Sequence, residues 1–269
     1  VPTATEGEHP MLRETFDTVA ERYDRVRPTY PPALVRQLVH AAGLGPDRRV
    51  LEIGPGTGQL TRPLARTGCR LTAVELGPSL AAVARRHLAA HPGAEVVTGD
   101  FDRWPLPAEP FDLVVSATAF HWLDPDARVA KAAEALRPGG LLALVTTHHV
   151  AGANVEFFAQ AQRCYERWDP ATPPGLRLEG ADETATDLRE LTDGGLFEEV
   201  TVRRHEQDIT YSADGYLEVL LTYSGHLALD EPARRGLLAC IRGLIEERHG
   251  GSVTKRYLHE LIMAERTAG

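Results

Sequence analysis

VLEIGPGTG, Val50 to Gly58, decides how this chain is read: an apolar run carrying an acid, Glu52, opens into Gly54, Gly56 and Gly58. A strand that stops at such a turn and restarts as a helix presents bare backbone N–H groups to a ligand. Glycine supplies the positive φ and the close approach that side chains forbid. The helix is expected over about 59 to 67. A dinucleotide fingerprint places its third glycine at position 59, which is Gln59 here, so the spacing turns away from a nicotinamide cofactor. A glycine turn of purely steric origin is the alternative, and the flanking segments weigh against it.

Downstream, Leu71 to Val74 reads as a second strand ending at Glu75, with Leu76 beside it, where an open α/β sheet places a ribose-binding acid. Ala94 to Thr98 reads as a third strand leading to Asp100 and Phe101, an acid and an aromatic ring suited to the border of an adenine-sized group. Further strands are expected near 111 to 117 and 140 to 147, with helices near 78 to 91 and 126 to 136 and a helical pattern over 11 to 42. Such alternation gives a parallel sheet wrapped by helices. Pro138-Gly139-Gly140 is expected to terminate the helix at 126 to 136.

After residue 148 the alternation lapses. Asn154 to Trp168 reads as an amphipathic helix and Asp169 to Gly180 as a connection, together a cap over a substrate pocket. Glu198 to Tyr211 reads as a strand, Ala213 to Ser224 and Glu231 to His249 as helices, and Val253 to Met263 as a strand or a strand-helix mixture.

Five segments together resemble the class I S-adenosylmethionine-dependent methyltransferases, and within them the small-molecule branch called type 11. They are FDTVAERYDRVRPTYP (16 to 31), VLEIGPGTG (50 to 58), LTAVELG (71 to 77), GDFDRWPLP (99 to 107) with FDLVVSATAFHWLDP (111 to 125), and ALRPGGLLAL (135 to 144). The resemblance implies an α/β, Rossmann-like, doubly wound fold: a seven-stranded, mostly parallel sheet with a helical cap, its last strand antiparallel beside the sixth. One methyltransferase domain would cover 1–269, with an N-terminal helical cover (1–42), a cofactor-binding core (43–149), a cap (150–195 and 213–250) and C-terminal strands (196–212 and 251–269).

The cofactor implied is S-adenosyl-L-methionine, giving S-adenosyl-L-homocysteine. Gly54, Gly56 and Gly58 would line its methionine and ribose portion, Glu75 with Leu76 its ribose, and Asp100 and Phe101 its adenine; Ser116 would border it from the fourth strand. Glu52 would order the glycine turn or meet the amino group through water; its other reading is a strand-end acid satisfied by nearby N–H groups. Tyr23, Arg27 and Tyr30 match an N-terminal segment that folds over the cofactor, Tyr30 on the acceptor side. Arg27 would pair with the methionine carboxylate or stand as a surface arginine.

The loop after the fourth strand, Ser116 to Trp122, is where donor and acceptor would meet. His121 is the candidate general base, because imidazole titrates near neutrality; it also reads as a loop-packing histidine. Trp122 offers an indole N–H for a carboxylate oxygen or a core ring. Phe120, Tyr223 and His226 are further candidates for the acceptor wall. No zinc, calcium or nucleophile-elbow spacing is present, so no metal is expected.

The chain has 269 residues, 43% hydrophobic, with a formal net charge of −9. That balance opposes attraction to phosphate backbones, so nucleic acid is not expected as partner. Cys69, Cys164 and Cys240 form no CxxC pair and read as small packed residues of a reduced compartment. Neither a membrane-spanning run nor a signal-peptide centre is seen, so a cytoplasmic protein without membrane contact is expected. Oligomeric state is not set by the sequence. The expected function is O-methylation of a small-molecule acceptor, at a hydroxyl or carboxylate, in specialised metabolism. The alternatives are N- or C-methylation, a cofactor-binding protein with a non-methylating activity such as cyclisation, and a nicotinamide oxidoreductase.

Overall fold

The computed structural model describes residues 16–268; the start of the expected N-terminal helix, 11 to 15, and the polar N-terminus lie outside them. Seven strands form one sheet in the order β3-β2-β1-β4-β5-β7-β6. They are β1 Arg49–Ile53, β2 Arg70–Glu75, β3 Ala94–Thr98, β4 Phe111–Ala117, β5 Leu136–Val150, β6 Phe197–Ser212 and β7 Ser252–Arg266. β1 pairs in parallel with β2 and β4, β2 with β3, and β4 with β5. The helices are α1 Ala20–Val26, α2 Pro32–Ala41, α3 Thr61–Ala65, α4 Pro78–Leu88, α5 Arg128–Ala135, α6 Val155–Trp168, α7 Arg189–Thr192, α8 Ala213–Leu220, α9 Ser224–Ala228 and α10 Glu231–Arg248.

The central strands are apolar on both faces because both faces are covered. Successive residues alternate between two core clusters: Val50, Leu113, Val115, Ala143 and Leu261 pack on one side with Leu34 and Leu38 of α2 and Ala81 of α4, while Leu51, Val114, Leu142 and Ile262 pack on the other with Ala132 of α5. A period of two is what a pleated strand imposes. The Rossmann-like, doubly wound architecture expected from the sequence is present.

The expected terminator Pro138-Gly139-Gly140 is not a helix end. α5 stops at Ala135, and the three residues lie inside β5. There the pairing with β4 shifts from Phe111↔Leu136 to Leu113↔Leu141, so β5 advances five residues while β4 advances two. Proline, with no N–H to pair, and Gly139 at φ 66 suit such an irregularity. β7 is a continuous strand rather than a mixture, and the helix expected over 213 to 224 breaks after Leu220.

The chain divides into two compact units. Among the described residues, a sheet unit comprises Pro28–Thr147, Thr186–His205 and 259–268; a helical unit comprises 16–27, His148–Ala185 and Glu206–Leu258. In the helical unit, Phe157, Ala161, Leu217, Leu237, Ile241 and Ile245 form a core of their own. α6 and α10 pack closely there, since a Cβ on Gly236 would lie 2.5 Å from the Trp168 ring. One turn back from Trp168 and one turn on from Gly236, Cys164 and Cys240 are joined in a disulfide. This corrects the reading of isolated cysteines; Cys69 alone is free and buried. α10 begins at an Asp230 cap whose Oδ1 accepts from Ala233 N at 2.7 Å, satisfying one of the orphan donors of a helix start.

Candidate active site

The glycine turn between β1 and α3 is left-handed at Gly54, Gly56 and Gly58, with φ of 67, 59 and 96. A Cβ on Gly54 would stand 2.5 Å from the Cβ of Ala119. The turn therefore lies directly against the segment that follows β4. Glu75, buried at the end of β2, accepts from Gly56 N at 2.9 Å through one carboxylate oxygen and from Gly77 N at 2.9 Å through the other. A single acid thus braces the glycine turn and the entry to α4, with half-buried Leu76 between its anchors.

Glu52 is 1% exposed, and its Oε2 has no hydrogen-bond partner. The Thr61 Oγ1 is likewise buried without a partner. Burial pushes the Glu52 carboxyl up to about 8, with the Glu75 charge adding to the rise and the Thr61 side chain opposing it. An orphaned buried acid is costly, and a cationic ligand group would restore its ionised form. That orphaned oxygen, on the residue two before the glycine turn, fits the ammonium of an amino-acid-bearing cofactor. Because the folded-state pKa lies above the ordinary 4.5, Glu52 contributes stability below that value, and the contribution is lost as pH rises through about 8. Glu52→Gln should therefore flatten the fall in stability between pH 5 and 8.5, by on the order of a few kcal/mol. Chemical denaturation of both proteins at the two pH values checks this.

Ser116, expected on the cofactor, spends its buried hydroxyl on Ile53 O at 3.0 Å, tying β4 to β1. Phe120, expected on the acceptor wall, is instead buried in the sheet's second core cluster, with the Arg128 guanidinium 5.4 Å from its ring. Phe101 is also a core ring, 6.5 Å from Trp104, while half-buried Asp100 turns its own loop by accepting from Asp102 N at 3.1 Å. His121 is exposed and Trp122 half-buried, their rings 4.8 Å apart.

Sequence reading missed how this loop is held. Thr118 sits at φ 56, a conformation that a β-branched side chain resists and that concentrates at functional sites. Its hydroxyl lies 2.7 Å from the Tyr30 hydroxyl, and the Tyr30 ring meets His259 edge-on at 5.7 Å. Buried His259 in turn contacts the Thr147 hydroxyl through Nδ1 at 2.9 Å.

Tyr23, Arg27, Tyr223 and His226 belong to the helical unit. Arg27 donates to Thr222 Oγ1 at 2.9 Å and to Thr222 O at 2.8 Å, and its guanidinium lies 4.8 Å from the Tyr23 ring and 4.4 Å from the Tyr223 ring. The Tyr223 hydroxyl receives a hydrogen bond from Lys255 Nζ at 2.8 Å. His226 Nε2 contacts the Tyr165 hydroxyl at 3.0 Å, and burial, helped by Lys255, holds its imidazole down at about 4. The candidates thus fall into two sets, each assembled within its own unit. Among the described residues no group of histidine, cysteine or carboxylate side chains could hold a metal ion, and no helix is long and apolar enough to cross a membrane.

A family described as "Methyltransferase domain" matches residues 50–140. An uncharacterized methyltransferase of Mycobacterium tuberculosis is 39% identical over 131 residues, 49% of this chain and 51% of that protein. The chain thus spans about half the length of such curated relatives. An uncharacterized methyltransferase of Geobacillus kaustophilus is 31% identical over 157 residues, 55% of this chain and 71% of that protein. Among solved structures, a candidate type II methyltransferase of Anaeromyxobacter dehalogenans has a TM-score of 0.59 at 25% identity, covering 90% of this chain and 98% of its own. A 4+2 cyclase has a TM-score of 0.58 at 18% identity, covering 100% and 99%. A phosphoethanolamine N-methyltransferase of Haemonchus contortus, with S-adenosylhomocysteine bound, has a TM-score of 0.55 at 16% identity, covering 98% and 61%. The last two show fold alone.

One expectation is overturned. The ribosomal RNA small subunit methyltransferase A of a Synechococcus strain is 44% identical over 89 residues, 32% of this chain and 32% of that protein. Nucleic acid is therefore not excluded as a partner by the acidic composition. Net charge bears on nonspecific attraction, not on what a local surface binds.

Proposed function

The chain belongs to the class I S-adenosylmethionine-dependent methyltransferases, and from that premise we propose that it transfers a methyl group from S-adenosyl-L-methionine to an oxygen, hydroxyl or carboxylate, of a small organic acceptor. The observation that carries this reading is the contact of Gly54 with Ala119, which sets the loop bearing His121 and Trp122 against the glycine turn. Gly54, Gly56 and Gly58, whose N–H groups are taken by Val74 O, Glu75 and Pro55 O, leave a turn without side chains that the cofactor can approach closely, Glu75 fixes the turn and meets the ribose, and Glu52 answers the ammonium. When bound, the cofactor supplies a methyl group made electrophilic by the adjoining sulfonium.

The residues of this chain then orient the acceptor and manage its proton. Exposed His121 takes the proton of an acceptor hydroxyl, a contribution of roughly a hundredfold or more in rate. A carboxylate is already ionised at neutral pH and needs only placement, which the Trp122 indole N–H provides.

The test uses mass spectrometry of hydroxyl and carboxylate acceptors with S-adenosyl-L-methionine, with an RNA oligonucleotide as a further arm. A product heavier by one methylene is expected from a small acceptor. His121→Ala should slow methylation of hydroxyls by about a hundredfold while sparing carboxylates, and Trp122→Phe should raise the acceptor KM. Methylation confined to the RNA arm would replace the acceptor reading. Tight NADH binding without S-adenosylhomocysteine binding, by calorimetry, would overturn the function itself.

A further inference from the structure

Lys255, in β7, is 4% exposed. Its one polar contact is the bond to the Tyr223 hydroxyl at 2.8 Å; otherwise it faces the Tyr223 and Tyr257 rings, 4.9 and 4.8 Å away. A buried ammonium costs several kcal/mol unless a counter-charge and hydrogen bonds compensate it. No carboxylate pairs with it among the described residues, and two of its three N–H groups are left over. Arg27 brings a second cation to the same Tyr223 ring and is likewise held only by neutral groups, the hydroxyl and carbonyl of Thr222. A third feature points the same way. The Nε2 of His149 is buried with no partner, and burial together with the Lys255 charge keeps that imidazole neutral, at about 2.

Two arginines elsewhere in this unit are neutralised in the ordinary way: Arg256 pairs with Asp208 at 2.6 Å, and Arg242 with Asp214 at 2.6 Å. At Tyr223, by contrast, two cations stand with no carboxylate on either among the described residues, and the His149 ring, which packs edge-on against Phe158 at 4.5 Å, feels the Lys255 charge. The Tyr211 and Tyr257 hydroxyls, 3.1 Å apart, continue the polar lining there.

We infer that the helical unit carries an anion site in which Lys255 and Arg27 hold the ionised carboxylate of an aromatic acid, with Tyr223 and Tyr257 against its ring. The inference goes beyond the methyltransferase reading above and concerns the helical unit alone. A carboxylate supplies the missing counter-charge and accepts the unused donors of both cations, while the tyrosine faces suit a flat ring.

Calorimetric titration of the full chain with benzoate and 4-hydroxybenzoate tests it, with benzyl alcohol and inorganic phosphate as further arms and S-adenosylhomocysteine titrated into every sample. Saturable binding of the aromatic carboxylates is expected, with none of benzyl alcohol. Lys255→Met should weaken that binding at least tenfold while keeping the S-adenosylhomocysteine affinity of the wild type, and Arg27→Gln should weaken the carboxylate binding severalfold. Should Lys255→Met lose its thermal transition, Arg27→Gln decides alone. Equal carboxylate affinity in wild type and variant overturns the inference, as does binding of phosphate without the carboxylates. S-adenosylhomocysteine binding without carboxylate binding removes the anion site and leaves the methyltransferase reading standing. Carboxylate binding without S-adenosylhomocysteine binding overturns that reading and not the site.

Discussion

Glu75→Ala should reduce S-adenosylhomocysteine affinity by at least about a hundredfold and lower folding stability by roughly 2–6 kcal/mol. The stability term comes from the native structure alone. The carboxylate accepts from Gly56 N and Gly77 N, both at 2.9 Å, and truncation leaves two N–H groups unsatisfied in a buried place, at about 1–3 kcal/mol each. The affinity loss adds a second effect, because a charge-assisted bond to a hydroxyl is stronger than a neutral one and the glycine turn is no longer braced. Glu75→Gln separates the two: its carbonyl can keep one N–H, so stability recovers in part while the ribose loses its anion. Calorimetry with S-adenosylhomocysteine and thermal denaturation read both quantities. Wild-type affinity in Glu75→Ala would mean that the ligand's ribose is held elsewhere.

The sheet was legible where local chemistry is punctuated. β1 to β4 fall within a residue or so of their expected positions, since each is a short apolar run with a glycine, proline or acid at one of its ends. β5 was truncated in the reading because Pro138-Gly139-Gly140 looks the same as a helix terminator and as an irregular strand; only the neighbouring strand, β4, decides between them. The Cys164–Cys240 pair, 76 residues apart, leaves no trace in sequence spacing, being made by the close packing of α6 against α10.

The candidate site divides in the same way. Glu52, Gly54 and Glu75 stand at the strand ends and the turn that the motif marks, because the motif is a statement about backbone conformation. Phe101, Phe120 and Ser116 lie on the motif yet turn to the core or to a neighbouring carbonyl, and periodicity could not tell which way each side chain points. Lys255 and His259 were missed for a different reason. Both lie in β7, where a lysine ordinarily reads as a solvated position, and their burial is set by elements distant in the chain.

Gly54→Val should cost roughly 3–5 kcal/mol of stability and remove measurable S-adenosylhomocysteine binding. Two separate penalties combine at this position. The backbone is at φ 67, where a side chain costs roughly 1–2 kcal/mol and a β-branched one more. A Cβ there also meets the Ala119 Cβ at 2.5 Å, a separation that real atoms do not sustain, so either the glycine turn or the loop after β4 must move. The second penalty can be relieved and the first cannot. Gly54→Ala combined with Ala119→Gly should therefore recover part of the stability lost in Gly54→Ala alone, with an interaction energy of about 1 kcal/mol or more. Because the moved loop carries His121 and Trp122, turnover should follow the same cycle, lost in the single variant and partly restored in the pair. Purely additive effects in both stability and turnover would show that this contact does not register the acceptor loop against the cofactor turn, and the observation on which the functional reading rests would be gone.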